Sequence, residues 1–588
     1  MKYKITEACI GCGTCVQACR VGSIPPGGPV APRAARPEDR AVQKDGDKYR
    51  IVPDKCEGCA GCVATCPVGA IIAENDTYKW EPHDPITLDA DIVVIGGGGS
   101  GLPAAVYAAD QGKKVVVLEK MPFAGGGAKF AADWRVFRSK WQKEKGYPDE
   151  LNRMLLKGMD ATEWSLEPEL VYNALRNTGK FFDWFQTLVP DYEFEEGIYA
   201  MDRADPQAQR VPMVKPINGR NPNGTFYVET LEAECHKRNI PLLYRHKVTD
   251  IEMKDGKVAA VIAQDPGGIT KVNCKACILA SGSWIRNKEI MEKKFPAFWK
   301  VLPHLEPSQH ASYAYTGDGI KLAEKAGAYM DFDSFVLRCM GPLGMVPSMA
   351  ASAISSSPLC IWVNLDGKRW MNEGNMARTG MSGSVSFAMG TQLSYQPRGI
   401  NYTIFDAGMA KKIKEEMDSG DAPASFFGPM KIADDFMEEM DRTAAMPNGR
   451  VFVRGETVEE LAKNAGIDPE NLKQTIEHYN EMCVAGEDTE LFKPANQMIP
   501  FTGGPYYAVQ GHLNHDGAFG GVKINANTQA YARDGGVVEN LFVPGDFASG
   551  RFTNFGGVKE QVINDLGWAI SSGYTAGSKA VDYLEGKL

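Results

Sequence analysis

Eight of the fourteen cysteines in this 588-residue chain fall in two short runs of identical spacing. Cys9, Cys12, Cys15 and Cys19 read C-x2-C-x2-C-x3-C, and Cys56, Cys59, Cys62 and Cys66 repeat the pattern. A disulfide framework demands an oxidising compartment, and MKYKITEAC lacks the apolar stretch and cleavage site of a secretory signal. Zinc is usually held by two C-x2-C pairs rather than three thiols at a three-residue step with a fourth behind them. That step suits a cubane whose irons are wrapped by a short loop of thiolates, so the spacing points to iron–sulfur clusters. The other six cysteines (Cys235, Cys274, Cys277, Cys339, Cys360, Cys483) are scattered and read as packing residues.

Residues 1–78 resemble a bacterial ferredoxin with two [4Fe–4S] clusters, down to the Gly-Ser-Ile and Gly-Ala-Ile that trail the two motifs. In such ferredoxins the fourth cysteine of each run ligates the other cluster. The resemblance therefore implies one cluster on Cys9, Cys12, Cys15 and Cys66 and another on Cys56, Cys59, Cys62 and Cys19. Arg20 stands where the first motif would often carry proline, and the Pro-rich stretch 25–40 reads as a surface loop.

A second constraint follows in DADIVVIGGGGSGLPAAVYAADQGKKVVVLEK. An apolar run, Ile92–Ile95, leads into Gly96-x-Gly98-x-x-Gly101, with Gly99 and Ser100 inside the turn. A small-residue helix and a second strand ending at Glu119-Lys120 complete the dinucleotide fingerprint. The glycines permit a tight turn and close approach to a pyrophosphate, and the acid holds a ribose hydroxyl. The uncharged run from Ile92 to Ala109 holds five glycines and a proline, so it reads as a buried nucleotide segment and not a membrane span. A formal net charge of −10 argues against nucleic acid as partner and agrees with a cytoplasmic protein.

From about residue 88 onward the chain resembles the fumarate reductase/succinate dehydrogenase flavoprotein family. The carrying motifs are Gly125-Gly126-Gly127, ILASGSW with Ala280-Ser281-Gly282, TGDGIKLAEKAGA with Asp318, NLFVPGDFASG with Gly545-Asp546, and Gly556-Gly557. The resemblance implies an α/β multidomain chain: ferredoxin-like module (1–78), Rossmann-type FAD-binding domain (88–335 and 505–588), and inserted α+β cap (336–504). It places Glu119 on the adenosine ribose and Asp546 near the ribityl chain. No histidine lies between Gly125 and Asp133, where covalently flavinylated members carry theirs, so FAD is expected to be non-covalent. With one dinucleotide fingerprint there is no evident nicotinamide site, so an external low-potential donor protein is expected to feed FAD through the clusters. Local patterns add a hairpin turning at Asp255-Gly256. An amphipathic helix over 170–189 presents Val171, Leu175, Phe182 and Phe185, and 431–484 carries the charged helical patterns of a cap surface.

The family resemblance implies hydride transfer to an activated C=C bond and protonation of the neighbouring carbon by a cap arginine. In VNLDGKRWMNEGNMARTG the matching residue is Arg378. Other family residues do not carry over. Gly517 replaces a substrate histidine, with His515 two residues upstream; Phe555 replaces a substrate arginine; and Ala353 and Ser356 replace the Glu and Arg of a proton path. Arg551, His515 and Tyr507 remain as polar candidates near the substrate. A dicarboxylate needs paired cations; their loss suggests a bulkier acceptor such as an aryl enoate or a steroid-like enone. The alternatives are a fumarate or urocanate reductase with a rearranged clamp, the same fold run as a dehydrogenase, and an electron-transfer subunit without an organic substrate.

Overall fold

A computed structural model describes residues 3–11, 15, 41–56, 62, 66, 70–73, 82–131, 134–161, 164, 166–198, 207–215, 223–294, 296, 306–307, 314–332, 335–340, 348–374, 392–419, 432–445, 451–518, 520–549 and 565–588. Its centre is a six-stranded sheet in the order Leu242–Leu243, Val115–Leu118, Ile92–Ile95, Ala276–Leu279, Val537–Phe542, Gln529–Tyr531. The first five strands run parallel and the last antiparallel. Ile92–Ile95, Val115–Leu118 and Ala276–Leu279 are buried at every position, which is why they read as unbroken apolar runs rather than alternating ones.

The small-residue helix Gly101–Asp110 packs on this sheet and against the helix Asp565–Leu584, which also touches the sheet. A Cβ on Gly573 would stand 2.1 Å from the Ser100 carbonyl oxygen, and one on Gly577 2.6 Å from that of Ala104. The two helices thus meet backbone to backbone. Beside the sheet, Lys247–Lys254 and Lys257–Gln264 form the expected hairpin. Asp255 (φ 52°) and Gly256 (φ 74°) both turn left-handed, as a two-residue type I′ loop requires. Ile269–Asn273 and Ile86–Asp89 extend that layer. The helix Pro168–Leu188 buries Val171, Leu175, Phe182 and Phe185, as its periodicity predicts.

A second sheet has Tyr506–Ala518 as its spine. The first half of that strand pairs with Ile400–Asp406 and Phe452–Gly455, the second half with Phe335–Met340. The sequence-based boundary at 505 is therefore corrected: 506–518 belongs with the inserted sheet, and the return to the FAD-binding layers follows it. The next strand, Gly521–Lys523, pairs with Met330–Asp331 and Ala548–Ser549 in a separate three-stranded sheet. The charged helices Phe436–Ala444, Val458–Ala465 and Pro469–Ala485 cover the inserted sheet, as their patterns predict.

Behind the strand Ile361–Asn364, four charges are buried together. Arg369 bonds Glu373 and Asp488, each at 2.8 Å, while Lys493 lies 3.7 Å from Glu373 and donates to the Cys360 carbonyl at 2.8 Å. Burial opposes ionisation of Asp488, yet Arg369 and the amides of Leu491 and Lys493 hold its pKa at about 2. Removing one member of such a set strands the others' charge. Glu373→Ala is expected to destabilise the fold by about 3–5 kcal/mol, read as a fall in denaturant midpoint against wild type.

At the N-terminal end, Tyr3–Ile5 pairs antiparallel with Ile71–Ala73, and Val42–Asp45 forms a hairpin with Lys48–Ile51. The 25–40 stretch lies outside the described residues. The segment joining this module to the main body is tied down by His83. Its Nε2 lies 3.0 Å from Asp265 and its Nδ1 2.8 Å from the Asp84 carbonyl oxygen. His246 meets the same carboxylate at 3.2 Å and the Tyr244 carbonyl at 2.7 Å. His83 thus has an acceptor at both nitrogens, a geometry that its doubly protonated ring satisfies. The Asp84 carbonyl first, then Asp265, raise the His83 pKa. A raised folded value gives stabilisation that is complete below the ordinary histidine value of about 6.5 and lost as pH climbs through the folded one. Amide exchange over 82–86, corrected for its intrinsic pH dependence, is expected to quicken across that window in wild type and to stay flat in His83→Ala. Among the described residues no helix is long and apolar enough to cross a membrane.

Candidate functional site

Three backbone segments meet at the carboxyl end of the parallel sheet. Gly98 bridges Gly125, the Gly125 amide donates to the Gly97 carbonyl at 2.8 Å, and the Ala280 amide donates to that of Ile95 at 2.9 Å. These approaches need glycine. Gly96 adopts φ 107°, and a Cβ there would stand 2.4 Å from the Ala280 carbonyl oxygen. A Cβ on Gly101 would come within 1.8 Å of the Gly96 oxygen. At Gly98, by contrast, nothing lies closer than 3.8 Å, so the turn is open on that side. Ser100 makes no side-chain cap on the following helix and its first turn carries no acid; with Leu102 donating to the Gly98 carbonyl at 3.1 Å and Pro103 lacking an amide, the Gly101 amide is the one left for an anion. Ser281 Oγ is buried without a hydrogen-bond partner among the described residues. An open glycine turn, an uncapped helix and an orphaned hydroxyl fit the pyrophosphate end of a dinucleotide.

Glu119 ends the second strand, buried, accepting from the Gly97 and Met121 amides at 2.7 Å each. Burial pushes its carboxyl above the usual range, against those two amides. Lys120 donates to Thr316 at 2.7 Å and pairs with Asp318, which Lys247 also meets at 2.9 Å. Burial alone would raise the Asp318 pKa, but Lys120 and Lys247 bring it to about 2, so this corner stays charged. Gly126 (φ 51°) and Gly127 open the short 3-10 turn Gly126–Phe130. The Tyr315 ring fills the room beside Gly127 and Gly282, and its hydroxyl donates to Asp546 at 3.1 Å. Gly545 is gripped from the Asp565–Leu584 helix: its amide donates to Ser572 Oγ at 3.0 Å and its carbonyl accepts from Trp568 at 2.8 Å. Gly556 and Gly557 lie outside the described residues.

Of the eight motif cysteines, Cys9, Cys15, Cys56, Cys62 and Cys66 are described, none in a disulfide. Cys15 and Cys62 are buried in one small core, with Cys56 and Cys66 packed against it. Backbone amides point at two of the sulfurs, Gly11 to Cys9 at 3.5 Å and Ala70 to Cys66 at 3.2 Å. Cysteines packed in one core with amide donors at two sulfurs suit iron–sulfur ligation, in which hydrogen bonds to sulfur tune the potential; among the described residues alone, no three potential ligands gather into a metal site. Cys12, Cys19 and Cys59 lie outside the described residues.

The residues expected near substrate fare unevenly. Arg378 and Arg551 lie outside the described residues. His515 is described in its backbone only, opposite Leu337 and Pro307. The partner strand steps from Val336 opposite Gly517 to Leu337 opposite His515, so Asp516 is an extra, bulged residue. Such bulges re-aim side chains and are frequent beside active sites. Tyr507 is corrected: it is fully buried, with its ring flanked by Phe405 and Phe452, and its hydroxyl donates to Asp441 at 2.7 Å. That makes it a core residue of the inserted sheet. Tyr315, Phe123 and Lys129 went unread in the sequence, although Tyr315 directly precedes the TGDG turn.

The FAD binding domain family matches residues 91–557, most of the chain. The chain belongs to that family. A 4Fe-4S dicluster domain matches residues 8–70. Together they make the chain a flavoprotein oxidoreductase with an N-terminal iron–sulfur ferredoxin module. Among relatives, NADH:acrylate oxidoreductase of Vibrio harveyi is 26% identical over 518 residues, covering 78% of this chain and 47% of its own. The chain thus spans about half the length of that enzyme. Vinyl phenol reductase of Lactiplantibacillus plantarum is 22% identical, covering 84% of this chain and 96% of its own. The open form of a flavocytochrome c3 fumarate reductase shares the fold, with a TM-score of 0.62, 21% identity, and coverage of 84% of this chain and 78% of its own.

The cradle's tolerance is the direct test of this flavin site. Gly101→Ala forces a methyl into the Gly96 carbonyl and is expected to yield protein without bound flavin; the flavin-to-protein absorbance ratio of the purified variant checks it.

Proposed function

We propose that this protein is a flavin-dependent reductase of an activated C=C bond, drawing electrons from an external low-potential donor through two [4Fe–4S] clusters and acting on an acceptor bulkier and less charged than fumarate. The observation that carries the electron route is the union of a flavin cradle with a cysteine-bearing module that packs directly against it. The relatives support the reaction class, since their names specify acrylate and vinyl phenol as substrates.

When bound, non-covalent FAD supplies hydride to one alkene carbon, and the clusters supply electrons one at a time to restore it. The chain does the rest. Gly96–Gly101 and the uncapped helix behind it hold the pyrophosphate, while Glu119 and Asp546 take the sugar ends. Arg378 donates the proton to the second alkene carbon; the preceding GKRWMNE stretch is fixed by the buried pairing of Arg369 with Glu373. Phe555 and Gly517 stand where a dicarboxylate enzyme has its cationic and imidazole clamps, which supports an aryl enoate or an enone. His515 and Arg551 are the polar groups assigned to the acceptor's carbonyl.

Photoreduced enzyme mixed anaerobically with a panel of acceptors tests the reading. Aryl enoates or enones are expected to reoxidise the flavin, and fumarate to do so far more slowly; faster reoxidation by fumarate overturns the substrate class. Arg378→Ala is expected to keep the flavin and cluster spectra while turnover falls by about 10²–10⁴-fold, the usual weight of a positioned acid.

A further inference from the structure

The core of the cysteine module is not built from that module alone. Phe123, from the flavin-binding body, is buried in it beside Tyr3, Cys15 and Cys62, and Met121 packs at its edge. The Phe123 and Tyr3 rings meet edge to face, with centroids 6.4 Å apart at 75°. Phe123 lies on the loop from Glu119 to Gly125, both of which line the nucleotide cradle: Glu119 bonds the Gly97 amide and Gly125 bridges Gly98. Lys129 returns along the same loop. Its stem presses on Gly125, where a Cβ would fall 2.6 Å from Lys129 Cγ, and its ammonium stands 6.0 Å from the centre of the Phe123 ring. Only 1% of Lys129 is exposed. A lysine this buried is rare.

We propose that Phe123 and Lys129 form the electron-transfer junction of the protein: Phe123 closes the gap between the cysteine module and the flavin loop, and Lys129 supplies the fixed positive charge that favours electrons on the flavin side. This rests on the cluster-to-flavin route proposed above. Two reduced clusters lose one electron each, and FAD gains two electrons and one solvent proton. An aromatic ring packed on both sides leaves no void along that path, whereas truncating it removes the contacts outright. Both residues are positioning residues; neither touches the alkene.

The test uses the full-length holoprotein at full cluster and flavin content, without any alkene. An external reductant such as reduced methyl viologen is mixed anaerobically in a stopped-flow instrument, and cluster and flavin bleaching are followed separately. In Phe123→Ala the clusters are expected to reduce at the wild-type rate and the flavin about tenfold or more slowly, equivalent to some 1.4 kcal/mol of barrier. Phe123→Leu, which keeps most of the apolar volume, is expected to fall between and is decisive where the alanine variant loses clusters. Flavin bleaching at the wild-type rate in both overturns the role of Phe123. Lys129→Met is expected to lower the flavin midpoint potential in a spectroelectrochemical titration while the cluster potentials hold. An unchanged flavin potential overturns the role of Lys129. If wild-type flavin does not bleach after its clusters, the route itself fails; failure of the substrate class shows only when an acceptor is added.

Discussion

The structure depends on how closely its backbone can approach itself around Gly98. The strand Ile92–Ile95 turns at Gly96 against the Ala280 carbonyl, and the turn then touches Gly125 across a single bridge. Sheet, nucleotide helix and flavin loop are all located by those contacts, because a side chain at Gly96 or Gly101 would push at least one of them away. The charges follow the same frame. Glu119 is fastened to the turn by the Gly97 amide, and Asp318 is fastened to Lys120 one residue further on. The binding site is therefore a property of backbone packing first and of side chains second.

The inserted sheet obeys a different logic. Its stability comes from a core of its own and from charges buried in matched sets, Arg369 and Lys493 against Glu373 and Asp488. The inserted sheet and the flavin-binding layers each close around a core of their own. The bulge at Asp516 falls near the end of the strand that runs from this sheet toward the flavin-binding layers.

Much of this was legible in the sequence, for physical reasons. Cysteine spacing, the Gly-x-Gly-x-x-Gly turn and the Asp255-Gly256 hairpin are local signals: the residues that state the constraint also satisfy it. The helix 168–188 was legible because its period is written in its own apolar face. Tyr506–Ala518 was not, because membership of a sheet is decided by partners at 335–340 and 400–406 and not by the strand itself. Tyr507 was misplaced for the same reason: a tyrosine one residue inside a strand has two faces, and only register shows that it turns toward Phe405 and Phe452. Phe123 and Lys129 carry no motif at all; their meaning arises when a separate module closes over them.

The contact between the helices Gly101–Asp110 and Asp565–Leu584 has a consequence for biosynthesis. Gly573 and Gly577 seat on carbonyls of Ser100 and Ala104, and Ser572 and Trp568 grip Gly545. A ribosome releases these partners hundreds of residues apart, so the cradle begun at Gly96 stays open while the whole inserted sheet is being made. The cysteine module, whose motif cysteines span fewer than sixty residues near the start, emerges long before. The cysteine pattern is complete early in synthesis, whereas the contacts that hold Gly545 and the nucleotide helix await the helix at 565–584.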